Sequence, residues 1–273
     1  MAPSRLIFAR QKRPAGRLCP APAPLRSTGT FRWRWILFTL CFFPLGLTCR
    51  TDPAPGILLR AQAAFDSSRS NYLAAPQEKD SAWRFSKACF ELAEYATNDT
   101  LRAALAEEGI KSARFASETA PTNAPAHFYL ALNLGELART KSLGALSLIR
   151  QMETELLRAI ELDAHFDHAG PDRSLGMLYL DAPGWPVSIG SKPKARLHLE
   201  KAVSLEPDYP DNHLSLLEAY VRWGDRAVLN EAIARYRQVQ SGAKKKYSGP
   251  EWDQPWKDWE ERWKAVLAHA ARL

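Results

Sequence analysis

The chain has 273 residues, 46% of them hydrophobic and 25% charged, an ordinary globular balance that excludes an intrinsically disordered chain and a polytopic membrane protein. Its net charge is +7, but nine of the 37 Arg/Lys and none of the acids fall within residues 1–50. Residues 51–273 therefore carry 28 basic against 30 acidic residues, a net of −2, so the bulk charge gives no reason to expect a nucleic-acid partner.

In chain order, the first element is the apolar run Trp35–Thr48, WILFTLCFFPLGLT, behind an Arg-rich, acid-free flank. A spanning helix needs roughly twenty apolar residues. This shorter run fits the central segment of an export signal. Cys49 follows it, at the place where a lipoprotein receives its lipid, although Gly46 stands where the usual lipobox has Leu. Lipidation at Cys49, ordinary cleavage and an uncleaved anchor are the three alternatives. Each places the body in the cell envelope on the periplasmic side, soluble or held to the membrane through the N-terminal segment. The expected division is 1–49 export or anchor segment, 50–241 helical domain and 242–273 a Trp-rich C-terminal cap.

After Arg50 the pattern is helical almost to the end, with no convincing alternating strand. Helices are predicted near 56–74, 80–97, 100–119, 124–139, 142–163, 171–181, 192–206, 210–223, 226–240 and 253–271. Breaks coincide with Pro121, Pro207 and the Gly224-Asp225 pair, and Gly170-Pro171 suits a helix start. Cys89 lies on the apolar face of a helix and reads as a small buried hydrophobe. No CxxC motif accompanies it.

A repeat runs through these helices. Residues 171–207 supply Leu175-Gly176, Tyr179, Ala195, Leu199, Ala202 and Pro207, the small–aromatic–small–Pro spacing of a tetratricopeptide repeat (TPR). Weaker copies lie before and after, with Leu134-Gly135, Leu156 and Ala159, and with His213, Leu216 and Tyr236. Small residues at the crossing points let paired helices approach closely. The expected fold class is all-α, a TPR-like solenoid or bundle of antiparallel helix pairs. Trp256, Trp259 and Trp263 share one face of the last helix and read as a terminal cap, with a partner or oligomer surface as the alternative. Lys244–Lys246 read as a solvated turn.

Residues 126–224 resemble the TPR-containing T component associated with TRAP transporters (tripartite ATP-independent periplasmic transporters). The resemblance is carried by Asn133-Leu134-Gly135, by GPDRSLGMLY from Gly170 to Tyr179, by APGWPVSIG from Ala182 to Gly190, and by Asn212. It implies an all-helical envelope lipoprotein that forms trimers and engages the periplasmic substrate-binding protein of a transporter.

The positions singled out for ligand or partner binding are Asn133, Arg139, Lys141, Asp172, Arg173, Tyr179, Trp185, Ser188 and Asn212. Two prolines and two glycines between Ala182 and Gly190 dictate a loop of fixed shape. Its Trp185 either lines a groove or partner surface or folds back on its own helices. Asp172 suits the positive end of the following helix, whereas Arg173 there demands a partner. Asn133, Arg139 and Lys141 would lie nearby if the repeats stack. His165, Asp167 and His168 crowd one turn, but zinc needs three or four ligands in tetrahedral array and no second group is evident. No metal or cofactor is expected. No phosphate loop, HExxH, GxSxG or GxGxxG occurs, and a non-enzymatic role is expected.

Overall fold

The computed structural model describes residues 55–78, 80–141 and 143–273. The export segment and Cys49 lie outside the described residues. Ten helices form among these: α1 (Pro55–Ala74), α2 (Ser81–Ala93), α3 (Asp99–Thr119), α4 (Ala124–Arg139), α5 (Ala145–Leu162), α6 (Phe166–Asp181), α7 (Lys192–Leu205), α8 (Pro210–Trp223), α9 (Arg226–Lys246) and α10 (Asp253–Ala270). None of them is long and apolar enough to cross a membrane.

The boundaries follow local chemistry. Proline occupies the first turn of α4, α7 and α8, where its missing N–H costs nothing. Asn98 caps α3 by accepting the Leu101 amide at 2.8 Å, and Ser191 caps α7. Gly224, at φ 65°, ends α8 in the left-handed conformation that glycine tolerates.

Two boundaries differ from expectation. Lys244–Lys246 are solvent-exposed as expected but form the last turn of α9, which runs past the predicted end at 240. Three cations at that end oppose the negative pole of the helix, and Lys244 and Lys246 reach Glu260 at 3.1 Å and Asp208 at 3.2 Å. Position 241/242 therefore falls inside a helix. At the start of α6, Asp167, His168 and Ala169 take left-handed angles, φ 50°, 56° and 59°, so the regular helix begins at Gly170.

Successive helices pack on one another, α2 on α3, α3 on α4, α4 on α5 and α6 on α7, and α10 returns onto α8. Close approach depends on the small residues. A Cβ on Gly176 would come 2.6 Å from Leu199 Cγ, so the α6–α7 crossing requires glycine. Burial gathers into three cores. The smallest joins α1, α2 and α3 around Phe65, Phe85 and Cys89. The second spans α2 to α6, with Ala195 of α7, around Phe90, Phe128, Leu134 and Leu156. The third joins α6 to α10 around Leu217, Tyr236 and Trp259. Cys89 is fully buried, and burial raises its thiol pKa far above the ordinary value, so it is an inert packing residue. Trp259 is completely enclosed, with Trp256 and Trp263 partly buried beside it. The Trp-rich helix thus closes the C-terminal core.

Candidate functional site: an exposed tryptophan loop beside buried polar joints

The loop between α6 and α7 is built from backbone. Gly184 and Gly190 pair as an isolated bridge. The Gly190 amide donates to the Pro183 carbonyl at 2.9 Å, the Ser188 amide to the Gly184 carbonyl at 3.2 Å, and the Ser191 amide to the Tyr179 carbonyl at 2.9 Å. The Trp185–Pro186 peptide is cis. Ser188 is turned inward and buried. Trp185 is not folded back: it is 89% exposed, with Val187 beside it at 56%. The other described tryptophans are buried or half-buried. Exposed cations flank the tip. Lys192 Nζ lies 5.3 Å over the Trp223 ring and Lys194 Nζ 4.8 Å over Tyr179. Tyr179 is buried and donates to Glu153 at 2.6 Å. Burial and that carboxylate raise its phenol above the ordinary value.

The other singled-out residues, the exposed Lys141 apart, fall in separate joints within and between helices. Asn133 is fully buried at the meeting of α2, α3 and α4. Its amide donates to the Ser86 carbonyl at 3.0 Å, to Ser86 Oγ at 3.1 Å and to the Tyr129 carbonyl at 2.8 Å, and its side chain lies against Gly109. Asn133→Ala should lower stability by about 1–3 kcal/mol through the acceptors it strands, read as a urea midpoint shift at unchanged slope. Arg139 pairs with the buried Glu136 at 2.8 Å, and Glu136 also holds Arg102 at 3.1 Å. Lys141 is exposed at the end of this turn. These residues belong to the α2–α4 region, away from Arg173.

Asp172 is buried at the start of α6 and ties it to α7 through His198 at 2.7 Å and Lys201 at 3.1 Å. Arg173 has the partners its position demanded. It donates to Asn212 Oδ1 at 2.8 Å and to the His168 carbonyl at 3.2 Å, lies 3.5 Å from the carboxylates of Asp167 and Asp211, and stacks over Tyr209. Asn212 donates in turn to the His168 carbonyl at 3.1 Å and the Ala202 carbonyl at 3.0 Å. The GPDR turn and Asn212 are thus one constellation that shapes the backbone between α6 and α8.

Asp211 and Arg262 were missed by sequence reasoning. Asp211 accepts from Arg262 of α10, which also grips both oxygens of Glu218 at 2.7 and 3.0 Å. The repeated Pro-Asp at 171–172 and 210–211 was a usable signal for Asp211; nothing local marked Arg262. His165, Asp167 and His168 diverge: His165 meets Glu206 at 2.9 Å, Asp167 faces Arg173, and His168 stacks on Tyr209 at 4.2 Å. Among the described residues no three metal-ligating side chains converge.

Two open hollows, about 380 and 330 Å³, lie side by side between α7 and α9 with α8 as floor, sharing Glu200, Val203 and Arg235. Trp185 lines neither.

Comparison with solved structures matches this arrangement of helix pairs. TTC0263, a thermophilic TPR protein in Thermus thermophilus, aligns over 77% of this chain and 92% of its own at 19% identity, TM-score 0.57. The fold is a tetratricopeptide-repeat fold. Two structures of MamA align over 71% and 72% of this chain and 97% and 98% of their own, at 19% and 18% identity, with TM-scores of 0.45 and 0.37. The family described as Regulator of microtubule dynamics protein 1-3 matches residues 59–169, from α1 into the turn that opens α6. No curated protein matches the sequence.

Proposed function

We propose that this TPR-fold protein is a non-enzymatic scaffold that holds a partner protein on the Ala182–Gly190 loop. The observation that carries this reading is Trp185, 89% exposed on a backbone-braced loop. A large exposed aromatic on a rigid support loses little freedom on docking, and tryptophan is enriched among residues that dominate binding energy. The buried charged side chains Asp172, Arg173 and Asp211 are committed to ion pairs that join helices, which supports a scaffold over a catalytic cleft.

The finer reading is that the partner is the periplasmic substrate-binding component of a TRAP transporter, with the protein exported, tethered through its N-terminal segment and assembled as an oligomer. Its support is the sequence resemblance, which includes the APGWPVSIG loop itself. The match to the microtubule-dynamics family stops at residue 169, before the loop, and says nothing of Trp185. Calorimetric titration of the full chain with the TRAP substrate-binding protein of the same organism tests both levels. Trp185→Ala should weaken binding by about thirtyfold, the loss of a hot spot of roughly 2 kcal/mol, with little change in thermal midpoint because the residue is 89% exposed. No binding by the wild type removes the transporter reading, and equal binding by wild type and variant removes the loop.

The open hollows favour a second reading, a general assembly scaffold for the envelope that takes a peptide segment between α7 and α9. Binding there would survive Trp185→Ala and fall on substituting Arg235, which both hollows share.

A further inference from the structure

Asp167, His168 and Ala169 are consecutive non-glycine residues with positive φ, a conformation that costs roughly 1–2 kcal/mol per residue. Such a turn persists only where its surroundings hold it. It sits between the two larger cores. On one side, a Cβ on Gly170 would lie 3.0 Å from both the Asp167 carboxylate and the Phe128 ring, so the turn is pressed against α4. The largely buried Asp167 carboxylate, 6% exposed, faces Arg173 of α6, Asp211 of α8, and Lys87 and Glu91 of α2. On the other side, the His168 imidazole stacks on Tyr209 at 4.2 Å and meets the edges of Tyr247 and Trp252 at 5.5 and 6.2 Å. The charged groups around it are Arg173, Glu206 and Lys246. One residue of the turn is therefore set against the α2–α6 core and the next into the α6–α10 core.

We propose that the Asp167–Ala169 turn is a proton-linked lock between the two halves of the helix stack, closed by protonation of Asp167, loosened by its ionisation, and opposed in both directions by His168. Burial raises the Asp167 carboxyl from its ordinary value to about 6, with Arg173 offsetting part of the cost. Its contribution to the closed turn is complete below the unfolded value of 3.8 and is lost as pH rises through about 6. Burial and Arg173 hold the His168 imidazole below its ordinary 6.5. Its contribution is complete above 6.5 and is lost as pH falls. The Asp167 effect is the larger, so the lock is tighter in mild acid than at neutral pH. Opening it frees the α7–α10 half to unfold before the rest.

Hydrogen exchange of the full chain at pH 5 and pH 7.5, corrected for intrinsic exchange, tests this by comparing α7–α10 with α3–α5. The Asp167 linkage alone makes opening of α7–α10 about tenfold easier at pH 7.5. His168 reduces that factor in the wild type. Asp167→Asn keeps a side chain that tolerates the left-handed region and removes the linkage, so the wild-type trend should reverse, with opening easier at pH 5. His168→Asn should show the full tenfold. The lock is overturned if Asp167→Asn leaves the pH dependence of α7–α10 unchanged, or if it shifts α3–α5 equally, since that is a uniform stability effect without a joint. A destabilised Asp167→Asn chain leaves His168→Asn to decide: no steeper pH dependence than wild type in α7–α10 overturns the proposal.

Discussion

Arg262→Met should destabilise the protein by about 3–5 kcal/mol, the largest loss expected of any single substitution considered. Arg262 is the cation that fastens α10 to α8. It donates to Glu218 through Nε and Nη2 at 2.7 and 3.0 Å, to Ser215 at 3.1 Å, and to Asp211. Methionine keeps the length of the stem but strips Glu218 of the Arg262 cation and leaves the almost fully buried Asp211 to Arg173 at 3.5 Å. The cost comes from those stranded charges rather than from the intrinsic worth of the pairs. Adding Asp211→Asn and Glu218→Gln to the same chain should therefore recover much of the loss. Urea unfolding followed by tryptophan fluorescence reads this directly, since Trp259 reports the core that α10 closes.

Gly190→Ala should cost about 3 kcal/mol and weaken partner binding by about thirtyfold while leaving the helix stack folded. A Cβ at Gly190 would fall on the Ala182 carbonyl oxygen and lie 2.8 Å from the Pro183 carbonyl carbon and oxygen. These are backbone atoms, so no side-chain rotation relieves the clash. The Gly184–Gly190 bridge must open, and with it the platform under Trp185. Affinity for the partner should fall as far as in Trp185→Ala, although the tryptophan itself is untouched. The far-ultraviolet circular dichroism should stay that of the parent chain, because the clash is confined to the loop. Equal partner affinity in the alanine variant would show that the shape of the loop is irrelevant.

The helices were legible because their limits are set locally. Prolines at 125, 171, 193 and 210, the turn at Gly224 and the periodic apolar faces predict the pairs to within a few residues. The exceptions have tertiary causes. α9 runs on to Lys246 because its basic end finds Glu260 and Asp208, neither of which is close in sequence. The turn before Gly170 is left-handed because Asn212 and Arg173 converge on the His168 carbonyl, a long-range arrangement that local propensity does not contain.

The candidate site was only partly legible. The proline and glycine spacing of Ala182–Gly190 foretold a fixed loop, but whether Trp185 turned in or out depended on a bridge between two backbones. Asp172 and Arg173 were marked by their charge at a helix start, and Asn133 and Asn212 by the segments that carry the family resemblance. Polarity in such a place suits a ligand contact and a buried joint equally. The hydrogen bonds to Ser86, His198 and backbone carbonyls, that between Arg173 and Asn212, and the Arg173–Asp211 ion pair place them in joints between helices. Arg262 carried no mark because its partners lie on α8, dozens of residues away.

The scaffold reading is tested most directly by replacing Trp185 with a photo-crosslinking amino acid in the host cell and identifying what becomes attached, with Leu143, 90% exposed, as the control position. The account predicts one discrete covalent adduct from position 185, absent from position 143, containing the substrate-binding protein of a transporter. No adduct at 185, or the same products from both positions, would contradict it.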